Sequence, residues 1–246
     1  MDILSIGNSF SQDAQTYLWR IAHHDKQEMR TVNLMIGGCS LERHFRNIKG
    51  DKKEYILQHN GYSTDFVTSI KTALLSGSWD YVTLQQASHL SYKMDSYMPY
   101  LKVLADSIRE YAPKAKILIH QTWGYATGSE RLAQRGFSTM EEMSRAVFSC
   151  YETAAEYIHA DGILPDGEAM LRLATESGKS VHRDGFHAGY GAPRYMMGCL
   201  WYHMLTGNPI STDFDDFDVP TEPEFAALAR KIASELAEER DFRNPK

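Results

Sequence analysis

The stretch Asp2-Ile3-Leu4-Ser5-Ile6-Gly7-Asn8-Ser9-Phe10-Ser11 decides the fold predicted for this chain of 246 residues. Residues 2–6 form a short, mostly apolar run, which is typical of a strand buried on both faces of a sheet. Gly7-Asn8 then predicts a tight turn, and residues 12–23 place apolar side chains at helical spacing. Ser9 therefore lies at the junction between a first strand and a first helix.

The same alternation of strand and helix continues along the rest of the sequence. Further strands are predicted for 31–36, 80–85, 116–120 and 162–165. Further helices are predicted for 66–76, 97–111, 140–159, 190–205 and 222–239. Such alternation predicts right-handed crossovers and a mainly parallel sheet covered by helices on both faces. We expect an α/β fold, a three-layer α/β/α sandwich with five strands, in one domain spanning 1–246.

Charge and composition exclude several classes of function. The formal net charge is -6 and the basic runs, such as 49–53, are short and interrupted by acidic residues, so we expect no nucleic-acid partner. No apolar stretch reaches about 18 residues, so no membrane partner is expected either. The cysteines, Cys39, Cys150 and Cys199, lack Cys-x-x-Cys spacing and predict neither a disulfide framework nor a zinc site. This pattern favours a reducing cytoplasm, although a chain that had lost its leader would carry the same pattern.

Polar residues follow the predicted strands. Ser9, Gly38 and the pair Gln85-Gln86 each stand at or just after the end of one. Ligands of an open parallel sheet bind at the carboxyl ends of its strands, so we expect these residues to lie close together. Near the end of the chain, Asp184-Gly185-Phe186-His187 places an acid and a base three residues apart. A serine becomes a nucleophile when an imidazole accepts its proton and a carboxylate orients that imidazole.

Each of these residues also has an ordinary structural interpretation. Ser9 at a strand-to-helix junction is a typical helix cap. An Asp-x-x-His match such as Asp184 and His187 also occurs in surface loops, and Gly37-Gly38 by itself indicates only a tight turn. The chemistry requires all of them to meet in the folded chain.

Taken in order, these motifs resemble those of the SGNH, or GDSL-type, serine hydrolases. Gly7-Asn8-Ser9-Phe10 is similar to the first block of that superfamily, Gly38 to the second-block glycine, and Asp184-Gly185-Phe186-His187 to the last block. The resemblance implies a flavodoxin-like fold in which Ser9 is the nucleophile, His187 the general base and then acid, and Asp184 the residue that orients His187. It implies no cofactor and no metal.

The resemblance also implies an oxyanion hole made by the backbone N–H groups of Ser9 and Gly38 and by a side-chain amide of the third block. Here the chain departs from the family, because residues 79–89 contain no asparagine. We predict Gln86 as the amide donor, with Gln85 as the alternative; a glutamine that caps strand-end carbonyls is the structural alternative. The Gly-Asn-Ser-Phe and Leu-Gln-Gln segments resemble an uncharacterised subgroup of the superfamily.

Aromatic residues near strand ends are candidates for the substrate pocket. Phe10, Trp123 and Tyr125 would suit a sugar ring, although large aromatic side chains more often pack in a core. The function predicted is a serine esterase that cleaves small O-acyl esters, with an O-acetyl group on a carbohydrate-like alcohol as the favoured substrate. A thioesterase, lipase-type acylhydrolase or acyltransferase with the same triad stays open. So does a non-catalytic flavodoxin-like module that binds an anion at residues 7–9.

Overall fold

The computed structural model describes residues 1–243, which contain a sheet of seven strands. The strands are β1 Asp2–Gly7, β2 Arg30–Met35, β3 Tyr55–His59, β4 Tyr62–Thr68, β5 Tyr81–Leu84, β6 Lys116–His120 and β7 Gly162–Leu164. Their order across the sheet is β4-β3-β2-β1-β5-β6-β7. The neighbouring pairs β2-β1, β1-β5, β5-β6 and β6-β7 are parallel. Strand β3 pairs antiparallel with both β2 and β4. The last three residues of the predicted domain, 244–246, lie outside the described residues.

The prediction of five strands was wrong because it missed the hairpin formed by β3 and β4. Its turn is Asn60-Gly61, where both residues have positive φ, 52° and 84°. Asn-Gly is the sequence that two-residue hairpin turns favour for this reason. Residues 66–76 were predicted as one helix, but β4 extends to Thr68 and the helix begins only at Ile70. As an edge strand that is largely exposed, β4 lacks the apolar pattern that marks a buried strand.

Helices cover the sheet. They are α1 Ser9–Gln15, α2 Leu18–His24, α3 Leu41–Lys49, α4 Ile70–Leu75, α5 Tyr100–Tyr111, α6 Glu130–Ala133, α7 Met140–Ile158, α8 Asp166–Ser177, α9 Ala192–Thr206 and α10 Pro223–Glu239. The helix predicted for 12–23 is therefore two helices, and α3, α6 and α8 were not predicted. In the described part of the chain, no helix is both long and apolar enough to cross a membrane.

The helices form two groups. The first group is α3, α4, α5 and α7, and the second is α1, α2, α8, α9 and α10; α7 and α8 contact each other and join the two groups. Nearly every residue of α9 is buried, as expected for a helix that is apolar all round. Helix α9 packs against α1 and α2, and so fixes the helix that carries Ser9.

Candidate active site

Ser9, Asp184 and His187 meet at the carboxyl edge of the sheet, although 178 positions separate Ser9 from His187. Ser9 is the first residue of α1, directly after β1. The Nε2 atom of His187 lies 2.9 Å from Ser9 Oγ, and its Nδ1 atom lies 2.7 Å from Asp184 Oδ2. Because a carboxylate only accepts, Nδ1 carries the proton and the lone pair of Nε2 faces the serine hydroxyl. The structure thus brings together the nucleophile, base and orienting acid expected from the sequence.

Asp184 is held as a carboxylate by the loop that contains it. Partial burial alone would raise the pKa of Asp184, but hydrogen bonds from the His187 ring and from the backbone N–H groups of His187 and Phe186 lower it to about 2. The carboxylate therefore keeps its negative charge at any pH where the protein would work, and can stabilise a protonated His187.

Asp13 joins the helix of Ser9 to the loop of His187. Its side chain is fully buried, one helical turn after Ser9. Arg183 Nη1 lies 3.0 Å from both Asp13 oxygens, and the Ala188 N–H donates to Asp13 Oδ2 at 3.1 Å. Arg183 and Ala188 flank the acid and the base, in a segment that we call the dyad loop, residues 181–189. One carboxylate thus fixes the dyad loop relative to the nucleophile.

The sequence analysis missed Asp13 and its partners. A second guanidinium, that of Arg194 on α9, reaches the same carboxylate, with Nε at 2.9 Å from Oδ1. The available signal was a charged residue on the apolar face of a predicted helix, beside Ala14 and Tyr17. An acidic side chain in that position is buried only when it is paired.

The dyad loop is also anchored to the segment that follows β6. Three hydrogen bonds join them: Trp123 Nε1 to Phe186 O at 2.8 Å, Ala126 N to Gly185 O at 2.8 Å, and His182 Nε2 to Gly124 O at 2.9 Å. The loop therefore has one anchor on α1 and another on the β6 edge, which holds His187 on both sides.

We expect acid to destabilise this anchor through His182. Burial lowers the pKa of His182 to about 4, although its bond to Gly124 O opposes the shift. The unfolded chain, with a histidine pKa of about 6.5, takes up the proton first as pH falls. Protonation of His182 should therefore lower the free energy of unfolding by on the order of 2 to 3 kcal/mol as pH falls from about 6.5 to about 4. Below that range, His182 should cause no further change.

Urea unfolding at pH 7 and pH 4.5 measures the effect. In His182→Gln, whose amide can still donate to Gly124 O, the difference between the two pH values should shrink. His59→Gln, which alters an exposed histidine outside the dyad loop, serves as a control for histidine substitution in general. An unchanged pH dependence in His182→Gln would contradict the assignment to His182.

Asn8 connects the turn after β1 to the turn after β2. Its Oδ1 accepts from the Phe10 N–H at 2.9 Å, which caps α1, and its Nδ2 donates to Cys39 O at 3.1 Å. The second bond holds the residue after Gly38, whose φ of 61° is in the left-handed region that favours glycine. Within residues 1–243, the N–H groups of Ser9 and Gly38 donate no hydrogen bond. Both residues line one cavity, as two oxyanion donors would.

The structure does not place Gln86 in this site, so its prediction as an oxyanion donor needs correction. Its amide Nε2 donates to Ser96 O at 2.9 Å and to Ser96 Oγ at 3.0 Å, which uses both protons. Its Oε1 accepts from the N–H groups of Leu41 and Ala87. The side chain is fully buried and ties three loops together, which is the structural interpretation of this residue.

Gln85, the alternative, supports Asn8 instead. Its Nε2 donates to Asn8 Oδ1 at 2.7 Å, and its Oε1 accepts from His120 Nδ1 at 2.6 Å. The Nε2 atom of His120 lies 2.8 Å from Asp166 Oδ2, and both side chains are fully buried. Burial raises the pKa of Asp166, while His120 and Trp201 act in the opposite direction. This buried row of polar groups fixes which way the Asn8 amide faces.

A cavity of about 390 Å³ lies beside Ser9. The cavity is lined by the turns after β1 and β2, by the dyad loop and by two further loops. The lining residues are Asn8, Ser9, Phe10, Gly37, Gly38, Ser88, His89, Tyr125, Arg131, Arg135, Phe186 and His187. Phe10 and Tyr125 thus line the site as the sequence predicted, and Tyr125 OH lies 2.9 Å from Ser88 Oγ. Arg131, Arg135 and Ser88 were not foreseen.

Trp123 does not line this cavity, contrary to the prediction. It is fully buried and stacks on Phe10 with ring centres 4.4 Å apart. Its Nε1 donates to Phe186 O, as described above. Trp123 therefore supports the cavity wall from behind, because a fully buried indole has no face to offer a ligand.

The potential metal ligands of the described residues are scattered. Among residues 1–243, no three His, Cys, Asp or Glu side chains are grouped so that they could hold a metal ion. His44 and Cys39 are close, 3.5 Å apart, but burial raises the pKa of Cys39 to about 12 and lowers that of His44 to about 3. The thiol thus stays protonated and is no nucleophile.

The architecture is an α/β fold with a mainly parallel, seven-stranded mixed sheet flanked by helices, and it is SGNH-like. A protein proposed to be an SGNH hydrolase, from Slackia heliotrinireducens, has a similar structure with a TM-score of 0.55 at 21% identity, over 97% of each chain. An acetyl xylan esterase aligns with a TM-score of 0.55 at 11% identity, over 82% of this chain and 98% of that one. At these identities the similarity establishes the fold alone.

The chain belongs to the family described as Domain of unknown function (DUF4886), whose model matches residues 2–235. A DUF4886 family protein from Bacteroides uniformis is 32% identical and superposes with a TM-score of 0.90, over 98% of this chain and 96% of that one. No curated protein matches the sequence.

Proposed function

We propose that this protein is a serine esterase that cleaves small O-acyl esters through an acyl-enzyme. The observation that carries the proposal is the continuous hydrogen-bonded line from Ser9 Oγ through His187 to the Asp184 carboxylate, with links of 2.9 and 2.7 Å. The SGNH-like fold, and the position of this line at the carboxyl edge of the sheet, support the same conclusion.

Acylation follows from the positions of the three groups. Ser9 Oγ attacks the ester carbonyl carbon while His187 Nε2 accepts the hydroxyl proton, and Asp184 stabilises the imidazolium that forms. The carbonyl oxygen becomes an oxyanion, which accepts from the N–H groups of Ser9 and Gly38. When the tetrahedral intermediate collapses, the bond from carbon to the alcohol oxygen breaks and His187 Nε2 gives its proton to that oxygen. The alcohol leaves and the acyl group stays on Ser9.

Deacylation repeats these steps with water. His187 Nε2 accepts a proton from a water molecule, whose oxygen attacks the acyl carbon, and the same two N–H groups stabilise the second oxyanion. The bond to Ser9 Oγ then breaks, and His187 returns the proton to the serine. The carboxylic acid is released and the site is restored.

The cavity favours a short acyl group. Two guanidinium groups, His89 and Ser88 face it, and a long alkyl chain would remove these polar groups from water without replacing their hydrogen bonds. A lipase-type substrate is thereby disfavoured, while an O-acetyl group on a carbohydrate-like alcohol stays within the proposal.

The three cysteines are buried and free, and a location in the cytoplasm stays a prediction.

Labelling with a fluorophosphonate probe tests the proposal against a non-catalytic binding module. The wild-type protein should be labelled at Ser9, because the probe reacts only with a serine whose proton is taken by a base. Ser9→Ala should show no labelling and His187→Ala should show very little. Ser88→Ala, which alters another serine of the same cavity, should be labelled like the wild type. Absence of label from the wild type, or label on a different serine, would contradict the proposal.

A further inference from the structure

Two arginines of the cavity beside Ser9 have no acidic partner among residues 1–243. Arg131 lies on α6 and Arg135 lies four residues later, and both line the cavity together with Ser9 and His187. In the described part of the chain, neither guanidinium forms an ion pair with an Asp or Glu side chain. No Asp or Glu of the described residues lines the cavity either.

This absence of a partner sets the two residues apart from the other arginines of residues 1–243. Apart from Arg230, each of the others lies within ion-pair distance of a carboxylate. In a chain with a formal net charge of -6, carboxylates are plentiful. Two unpaired guanidinium groups in the cavity of the nucleophile therefore leave a positive charge where a substrate would bind.

The Arg131 cation lies close to the reacting groups. The guanidinium carbon of Arg131 lies 4.2 Å from the centre of the Phe186 ring, which is itself 3.9 Å from the centre of the His187 ring. One aromatic ring thus separates this charge from the catalytic base.

A buried donor atom of Arg135 also indicates where a hydrogen-bond acceptor of a ligand could bind. Its Nε atom is buried and has no hydrogen-bond partner in the described part of the chain. A buried donor without an acceptor is unfavourable, and a ligand oxygen placed there would satisfy it. Burial, together with the charges of Arg135 and Lys93, lowers the pKa of the neighbouring His89. The imidazole beside Arg135 therefore resists taking up a proton and becoming a further cation.

We propose that Arg131 and Arg135 form a subsite for a carboxylate carried by the ester substrate. Two guanidinium groups without competitors match the two oxygens of a carboxylate, which accepts paired N–H bonds from arginine. The inference rests on the proposed function, since it places the reacting ester at Ser9 and the carboxylate on the same molecule. It narrows the substrate class to esters in which either the acid or the alcohol half is anionic.

Binding to the Ser9→Ala variant tests the subsite without turnover. Calorimetric titration would compare 3-acetoxybenzoate with methyl 3-acetoxybenzoate, and monophenyl succinate with methyl phenyl succinate. In each pair the two molecules differ in one carboxylate, on the alcohol half in the first pair and on the acid half in the second. We expect the carboxylate form of at least one pair to bind about ten- to a hundredfold more tightly, as charge-assisted hydrogen bonds would give. The preference should weaken as salt is added.

Arginine variants locate the effect. Adding Arg135→Gln or Arg131→Gln to Ser9→Ala should reduce the preference for the carboxylate towards one. Arg145→Gln is the matched control, because Arg145 is an exposed arginine that pairs with Glu141 outside the cavity, and it should leave the preference unchanged.

The outcomes separate this inference from the proposed function. Equal binding of the carboxylate and its methyl ester in both pairs, or a preference that survives both arginine substitutions, would overturn the subsite even if the wild type hydrolysed every ester. Tight, arginine-dependent binding of a carboxylate to Ser9→Ala supports the subsite. If the wild type then hydrolysed none of these esters and resisted the fluorophosphonate, the esterase proposal would be overturned while the subsite stood.

Discussion

Replacing Ser9 with alanine should lower kcat/KM for 4-nitrophenyl acetate by at least about three powers of ten. The variant keeps the cavity and both oxyanion N–H groups, so the loss reports the missing nucleophile rather than a missing binding surface. His187 Nε2, which lies 2.9 Å from Ser9 Oγ in the wild type, would then have no hydroxyl to deprotonate. Because Ser9 is a helix N1 residue whose side chain caps nothing, the free energy of unfolding should change little.

The measurement is steady-state kinetics with 4-nitrophenyl esters of increasing chain length, on the wild type and the variant. The wild type should prefer acetate, since polar groups line the cavity. Ser88→Ala should retain most of the activity. Equal turnover by the wild type and Ser9→Ala would exclude Ser9 as the nucleophile, and a preference for long chains would instead support the lipase-type alternative.

The second large effect is expected from Asp13→Asn. The substitution keeps the shape of the side chain but removes its charge, and it turns an NH2 group towards Arg183 or Arg194, which only donate. Breaking a buried ion pair in this way costs about 3–5 kcal/mol, and we expect the lower end, because both arginines keep some access to water. The dyad loop should also shift relative to Ser9, and a shift of about 1 Å can reduce the rate by about a hundredfold.

Two measurements distinguish these effects. Urea unfolding gives the free energy of unfolding, and the rate of fluorophosphonate labelling, taken well below the unfolding transition, reports the position of His187. Asp216→Asn is the matched control, since Asp216 forms an exposed ion pair with Arg20 and should contribute less than about 1 kcal/mol. A labelling rate equal to that of the wild type would show that Asp13 is not a positioning residue.

The parallel part of the sheet and the residues of the candidate triad were accessible from the sequence because their signals are local. Strands β1, β2, β5, β6 and β7 lie within a few residues of the predicted runs, since buried parallel strands are short apolar segments bounded by turns. Ser9, Asp184 and His187 were identified from two short motifs. The edge hairpin was missed because its strand β4 is exposed and mixes polar with apolar residues, although Asn60-Gly61 was a usable signal.

The errors at the site have a shared physical cause. Gln86 and Trp123 carry the right chemistry for an oxyanion donor and a sugar platform, and sequence position gave no indication of where their polar atoms point. The folded chain directs the Gln86 amide to Ser96 and stacks Trp123 beneath Phe10. Buried polar groups must be satisfied by whichever partners the fold brings near, and those partners are distant in sequence.

The sequence by itself determined the features from which the chemistry is proposed: a serine after the first strand, an acid and a base near the end, and alternating elements that bring strand ends to one edge. Only the tertiary structure decided which side chains serve that chemistry. The buried Asp13 carboxylate, the Asn8 amide and the unpaired Arg131 and Arg135 acquire their roles from neighbours up to 181 positions away. Burial and charge pairing depend on contacts that no local pattern encodes, whereas turns, strands and helix starts depend on adjacent residues.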